Sequence, residues 1–244
     1  MPFTFAHPAA VLPAAWLPSR YVCMSALIVG TLTPDFEYYL RVRVMSVISH
    51  TTGGLFWFCV PAGLLALFIF HNIVRDTLIE NLPLFLRSRF NKYKNFNFNA
   101  YFKNHWLVVL LCLLAGAFTH QLWDGFTHAA GNHAAFMLKQ INLFGYPVGL
   151  FKIFQHLSSL FGLAVIALFV YKMPADKDAG GKIDIKYWVI FLLIAGVFVA
   201  AKASFGFSKN LLVRLMVTAN SGCLLALVFT PIIMKILKAI KRPA

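Results

Sequence analysis

Acidic residues are scarce in this 244-residue chain, which carries eight of them against 22 lysines and arginines. Asp76, Glu80, Asp176, Asp178 and Asp184 fall in polar stretches, where solvation accounts for them. Asp35, Glu37 and Asp124 differ, because each stands where an apolar segment ends. Ionisable groups in or near a bilayer are costly; they pair with one another or mark a functional site. Asp124 sits in "AFTHQLWDGFTH", with His120 one helical turn before it and His128 one turn after. On a helix, residues four apart share a face. His120 and Asp124 can therefore aim ligand atoms at one ion, and His128 joins them if the helix continues through Gly125. Imidazole and carboxylate are common ligands of zinc and related ions. With no cysteine close by, a nitrogen/oxygen site is favoured. The spacing alone is weak, since a local pair in which Asp124 orients a histidine or caps the helix end fits it equally.

Other residues of the same chemistry recur at segment ends. His7 precedes Pro8, Asp35 follows Pro34, and His50 precedes Thr51 at the start of an apolar run. Several nitrogen and oxygen ligands converging from separate elements make a metal site in a helical bundle. His71 and His105 read as interfacial residues, and His133 as a solvated one in an outer loop. His156 lies about ten residues (~15 Å along a helix) inside its run. It is expected to need a buried partner, either as a contributor to the site or as a neutral core histidine bonded to a carbonyl, Ser158 or Ser159. Lys152, in the same run, either snorkels or faces a cavity.

The elements that must hold these residues are apolar and long. The chain is 60% hydrophobic and 12% charged, with a mean hydropathy of +0.74. Soluble domains run at about 45–50% apolar and about 25% charged. The pattern predicts an all-α, multi-pass transmembrane helical bundle. Its long spans are expected at Gly53 to Ile73, His105 to Trp123, Tyr146 to Met173, Trp188 to Ser204 and Leu211 to Leu237. Before them lie short embedded segments, Pro8 to Trp16 and Tyr21 to Leu32, each below the roughly 20 residues a crossing needs. Pro61 predicts a kink in the first long span. The stretch "RDTLIENLPLFLRSRF" reads as an interfacial amphipathic helix, and "NKYKNFNFNAYFKNHW" as an aromatic-basic belt. The run "PADKDAGGKIDIK" reads as a flexible polar linker. Residues 1–244 are thus expected to form a single integral membrane domain. It would consist of a site-bearing core over 1–170, a polar loop over 171–186 and two further transmembrane helices over 187–244.

The net charge of +14 is placed in loops and at span ends. That suits anionic headgroups and the positive-inside rule rather than nucleic acid. It predicts loop 74–104 and the C-terminus on the cytoplasmic side and loop 124–145 outside. Asp35, His50, His120 and Asp124 then share the outward side. Cys23, Cys59, Cys112 and Cys223 are widely spaced, and neither a disulfide framework nor a thiolate metal site is indicated. The N-terminal stretch, broken by prolines and without a basic residue before Arg20, does not read as a signal peptide.

Taken together, "MPFTFAHP", "GTLTPDFEYYL", "SHTTGG", "THQLWDGFTH" and "QHLSS" resemble a bacterial multi-pass membrane family, domain of unknown function 4184. The likeness runs to about Leu168. More distantly, the order of these motifs is similar to the inner-membrane metal-dependent hydrolases, which typically carry "PDxDH" and "HRGxTHS". Here Glu37 stands for the second aspartate and Tyr38 for the histidine after it, and no HRG precedes "SHTT". The resemblance implies a bacterial inner-membrane location and a metal-dependent hydrolytic activity.

The reading that joins these strands is a membrane-embedded, metal-dependent hydrolase. A divalent ion, zinc by default, would be held by His7, Asp35, His50, His120 and Asp124. It would polarise a phosphoryl or acyl oxygen and lower the pKa of its water to about 7. Glu37 is the general-base candidate, and His128 would contact a ligand or the substrate. A site at the membrane interface suggests a lipid or lipid-linked phosphoester as substrate, with membrane lipids as surroundings. The alternative is a non-enzymatic transporter or scaffold whose polar cluster ties helices together. No repeated halves with matching broken helices support transport. Side-chain distances among His50, His120 and Asp124 discriminate, because one ion demands close approach.

Overall fold

A computed structural model describes residues 3–128, 139–143, 145–204 and 211–240. His133 lies outside these residues. The chain is an all-α, multi-pass membrane protein, with five helices among the described residues long and apolar enough to cross a bilayer. They are α3 (Thr52–Asn81), α5 (Phe98–Thr127), α6 (Leu150–Lys172), α7 (Ile185–Ser204) and α8 (Leu211–Ile240). Between and before them come α1 (Met24–Leu32), α2 (Phe36–Arg41) and α4 (Leu84–Phe90). Large apolar side chains such as Leu65, Leu160, Leu192 and Val197 lie exposed along the long helices. Water would penalise that surface, whereas hydrocarbon does not.

By its internal contacts the chain divides into two compact units. The first comprises Met1–Phe36, Val47–Leu64 and Phe102–Lys172. It opens with a 3-10 helix, Thr4–Trp16, that contains Pro8 and Pro13. Proline lacks the N–H that an α-helix would use and crowds the carbonyl four residues back, so tighter i→i+3 turns persist here. This helix is fastened to α6, where Phe3 N–H donates to Ser159 Oγ at 2.9 Å. A Cβ on Gly162 of α6 would meet Ala6 O at 2.7 Å.

Helices α1 and α5 approach through reciprocal glycines. A Cβ on Gly30 would lie 2.3 Å from Leu113 O, and one on Gly116 would lie 2.3 Å from Leu27 O. Small residues are what allow membrane helices to bring their backbones this close. Leu55, Cys59 and Ala117 form a further buried cluster between α3 and α5.

Helix α3 departs from regular α-helical geometry just before Pro61, where the sequence predicts a kink. It takes up a π-helical turn over Leu55–Cys59, in which Val60 N–H bonds Leu55 O. The wider turn accommodates the proline that follows. The span is also longer than expected and runs on to Asn81, so Asp76 and Glu80 are helical rather than in a loop. The interfacial helix expected over Arg75–Phe90 is therefore split at Leu82-Pro83, its first half belonging to α3 and only the remainder forming α4. At the other end of the site-bearing unit, Tyr146–Gly149 is β2 of a hairpin with β1 (Gln140–Leu143), and α6 begins only at Leu150. Gly145, at φ +86°, occupies the turn, where a side chain would be strained.

The second unit comprises Glu37–Ser46, Leu65–Tyr101 and Met173–Ala244. Helices α7 and α8 pack as an antiparallel pair, Gly222 of α8 lying against Ala195 of α7. Residues 174–186, expected as a flexible linker, are strapped down instead. Asp176 N–H donates to Ser88 O at 2.8 Å, and Asn91 Nδ2 donates to Asp176 Oδ2 at 2.6 Å. Asp184 N–H bonds Asn81 Oδ1 at 3.0 Å, and the buried Arg87 donates to the Gly181 carbonyl. A polar run supplies its own anchors when complementary donors and acceptors face it, a pairing invisible in composition.

Candidate metal centre

The predicted ligands come from separate elements of the first unit, each delivered by a local backbone feature. His7 projects from the N-terminal 3-10 helix, where residues three apart are eclipsed, so Thr4 and His7 share one line. Asp35 ends the short 3-10 turn Thr33–Asp35 that Pro34 opens after α1. His50 directly precedes Thr51, whose side chain caps α3 by accepting from Gly54 N–H at 2.9 Å. His120 and Asp124 lie one turn apart on α5.

These side chains converge. His120 Nε2 is 3.4 Å from Asp124 Oδ2 and 3.7 Å from Asp35 Oδ1. His50 Nε2 is 3.6 Å from Asp35 Oδ1 and 3.7 Å from Asp124 Oδ2. His7 Nε2 is 3.5 Å from Asp124 Oδ1, and its ring stacks on that of His120 at 3.8 Å between centroids. His7, His120 and Asp124 form one group, and Asp35, His50 and His120 another, with ligand atoms within 4.8 Å of one another in each. His7, Asp35, His120 and Asp124 are 2%, 0%, 1% and 8% exposed, so water does not solvate them freely. The His50 and His128 side chains, at 24% and 31%, are the open edge.

Several atoms pointing away from the centre are held by neighbours, whereas both ring nitrogens of His7 and the inward-facing atoms of Asp35, His120 and Asp124 are not. His120 Nδ1 lies 2.7 Å from Thr31 O. A carbonyl only accepts, so Nδ1 carries the proton and Nε2 presents a lone pair to the centre. Ser49 Oγ holds His50 Nδ1 at 3.1 Å, and Thr4 Oγ1 donates to Asp35 Oδ2. His7 Nε2, Asp35 Oδ1, His120 Nε2 and Asp124 Oδ1 are buried without a hydrogen-bond partner. Buried polar atoms rarely go unsatisfied.

Separations of 3.4–3.7 Å exceed hydrogen-bond length. They match the roughly 3.4 Å between two ligand atoms each about 2.0–2.1 Å from one tetrahedral ion. Burial, reinforced by the neighbouring His120, pushes the His7 imidazole down to about 3, so it is neutral at physiological pH and ready to donate a lone pair. Burial likewise raises Asp35 above the ordinary carboxylate range, a penalty that a cation at the centre would reverse. The donor set fits a divalent metal ion.

The chain belongs to the family of Domain of unknown function (DUF4184). The family model matches residues 1–232, which take in the whole of the first compact unit and all but the last twelve residues of the second. No curated protein and no solved structure matches the chain.

Within this DUF4184 framework the remaining candidates separate. His128 touches the cluster from its edge, its Nδ1 lying 3.6 Å from Asp124 Oδ1 and 3.1 Å from Asp124 O. Glu37 belongs to the second unit and is buried there, accepting from Arg41 Nε at 2.9 Å and Ser46 Oγ at 3.2 Å. His156 is exposed at the protein surface of α6, within the span, and does not reach the cluster. Lys152 is exposed on the same helix. His71 accepts from Arg75 Nη1 at 2.9 Å and stacks on Phe98, away from any role as a ligand.

The residues that hold the ligands escaped sequence reasoning. Thr4 was legible only through a 3-10 period shared with His7. Gln121 Nε2 donates to Ser49 O at 3.1 Å and so fixes the peptide that carries His50. Gly30 and Gly116 set the distance from Thr31 O to His120. A backbone carbonyl and a glycine carry no ligand chemistry in a sequence, so neither signals a site.

Proposed function

We propose that this protein is a membrane-embedded, metal-dependent hydrolase, with a divalent ion, zinc by default, held by His7, Asp35, His50, His120 and Asp124. The observation that carries the reading is the set of buried, mutually facing nitrogen and oxygen atoms without hydrogen-bond partners. A bound divalent ion supplies Lewis acidity toward an ester oxygen and a water acidified to about pKa 7. The chain's own residues supply the rest. Thr31 O and Ser49 hold two imidazoles in orientation, Thr4 turns one carboxylate oxygen of Asp35 inward, and burial keeps bulk water out. His128, partly exposed and in contact with Asp124, is placed to exchange a proton with a substrate entering from the open edge. Glu37, the general base suggested by the motif order, is held by Arg41 and Ser46, and Glu37→Gln tests that role. We place the protein in a bacterial inner membrane with the C-terminus cytoplasmic and the site at the outward interface, where a lipid or lipid-linked phosphoester is the substrate class.

The test is metal content and hydrolysis in one preparation. Full-length protein in detergent should retain zinc and release headgroup phosphoester product from mixed micelles, while His120→Ala and Asp124→Ala should lose both. Equal metal content in all three proteins would overturn the reading. Metal retained by the wild type without hydrolysis of any lipid phosphoester would mark a structural ion that ties the N-terminal 3-10 helix, the Asp35 turn and the ends of α3 and α5 together.

A further inference from the structure

Counted as α-helix, the N-terminal segments are too short to cross a bilayer, but Thr4–Trp16 is a 3-10 helix of 13 residues. At a rise of about 2.0 Å per residue it reaches about 26 Å, as far as about 17 residues of α-helix. That length is the short end of the crossing range. The segment holds no lysine, arginine or acid, and a helix pairs its backbone groups internally, as hydrocarbon requires. Its neighbours fix its depth. Phe3 meets Ser159 and Ala6 meets Gly162, so the 3-10 helix and α6 run side by side in the same direction. From Ala6 to Trp16 the chain advances about 20 Å, and from Gly162 to Lys172 about 15 Å. Trp16 therefore reaches the level at which α6 ends in the exposed Tyr171 and Lys172. The return leg agrees. Cys23 N–H donates to Cys112 Sγ at 3.3 Å and Thr31 O meets His120 Nδ1 at 2.7 Å, both pairs 89 residues apart, so α1 and α5 run in parallel register. Cys23 thus lies about 12 Å below His120, back along α5, and the turn lies beyond it. His7 and Asp35 stand at the open ends of this hairpin, with residues 16–21 as its turn.

The turn carries the chemistry of a membrane–water interface. Trp16 is 81% exposed, Leu17 and Tyr21 are exposed beside it, and the Arg20 guanidinium lies over the Tyr21 ring at 4.6 Å. Arg20 is the only lysine, arginine or acid in residues 1–34. Left in hydrocarbon, an arginine is costly. At headgroup level its charge meets lipid phosphates, and the tryptophan and tyrosine rings sit where such rings concentrate. We propose that residues 4–35 cross the bilayer twice, and that Trp16, Arg20 and Tyr21 dock on the anionic lipid headgroups of the leaflet where α6 ends. This docking does not depend on an ion in the histidine–aspartate cluster.

Cysteine reporters in the full-length chain, in sealed membrane vesicles, test the crossing. Ser19→Cys in the turn is compared with Asn142→Cys, before α6, and Lys172→Cys, at its end, all three being exposed positions. The native cysteines are buried or half-buried, and the unsubstituted chain gives the background. A membrane-impermeant maleimide should label Ser19→Cys from the side that labels Lys172→Cys and not from the side that labels Asn142→Cys. Labelling from the Asn142 side, or from neither side although the denatured chain labels fully, would overturn the crossing. For the docking surface, a spin label on Ser19→Cys is followed in nanodiscs of phosphatidylglycerol and of phosphatidylcholine. Slower motion in the anionic lipid is expected, and Arg20→Gln should remove the difference. Equal motion in both lipids, or a difference that survives Arg20→Gln, would overturn the headgroup contact.

Discussion

In the unit built from Glu37–Ser46, Leu65–Tyr101 and Met173–Ala244, acids meet donors at ordinary distances. Arg75 Nε reaches Asp76 at 2.6 Å, Lys94 Nζ reaches Glu80 at 2.9 Å, and Asn91 reaches Asp176 at 2.6 Å. In the other unit, Asp35 and Asp124 face histidines at 3.4–3.7 Å, too far for hydrogen bonds and too close for indifference. The second unit also buries lone unsatisfied atoms, Arg87 Nε, Tyr187 OH and Thr230 Oγ1. None of these is an imidazole or carboxylate in a converging set. Polar residues that satisfy one another build structure, whereas the converging, unsatisfied set is the one the metal proposal rests on.

The sharpest way to break this contrast is to delete one member from each unit. Asp124→Ala should lower metal affinity by about 100-fold or more, since removing even a residue behind a ligand costs about 10–100-fold. Asp176→Ala should leave metal content unchanged, and equal losses in both would erase the distinction. Next in size is Gly116→Ala, whose Cβ would meet Leu27 O at 2.3 Å and force α1 from α5. We expect a loss of about 1–3 kcal/mol in stability together with about 10-fold weaker metal binding. Gly53→Ala, with nothing within 4 Å of its new Cβ, should change neither. Retained metal affinity in Gly116→Ala would show that the helix spacing does not set the site.

Thr4→Val should release Asp35 and weaken metal binding about 10-fold with little change in melting temperature, as read by isothermal titration. The smallest effect on the site belongs to Arg87→Met. Losing the Arg87 contacts to the Glu80 and Gly181 carbonyls should cost about 1–3 kcal/mol in thermal unfolding while metal content stays at the wild-type level. A drop in bound metal there would mean that the strap over residues 174–186 supports the site after all.

The sequence by itself determined the bundle, because apolar runs of span length have no other stable home. It also marked the candidate ligands. In a chain with eight acids, Asp35 and Asp124 stand out where solvation cannot explain them, and the His120–Asp124 spacing follows from the helical period. Convergence was decided only by the tertiary structure. His7, Asp35 and His50 are separated along the chain by distances that no local period spans, and they meet because Gly30, Gly116 and Gly162 let backbones touch. His156 lies exposed on α6, and Glu37 is taken up by local partners, Arg41 one helical turn on and Ser46, although their residue types suited a site equally well. Residue chemistry is local and can be read in order; which residues face one another depends on close packing between helices distant in sequence.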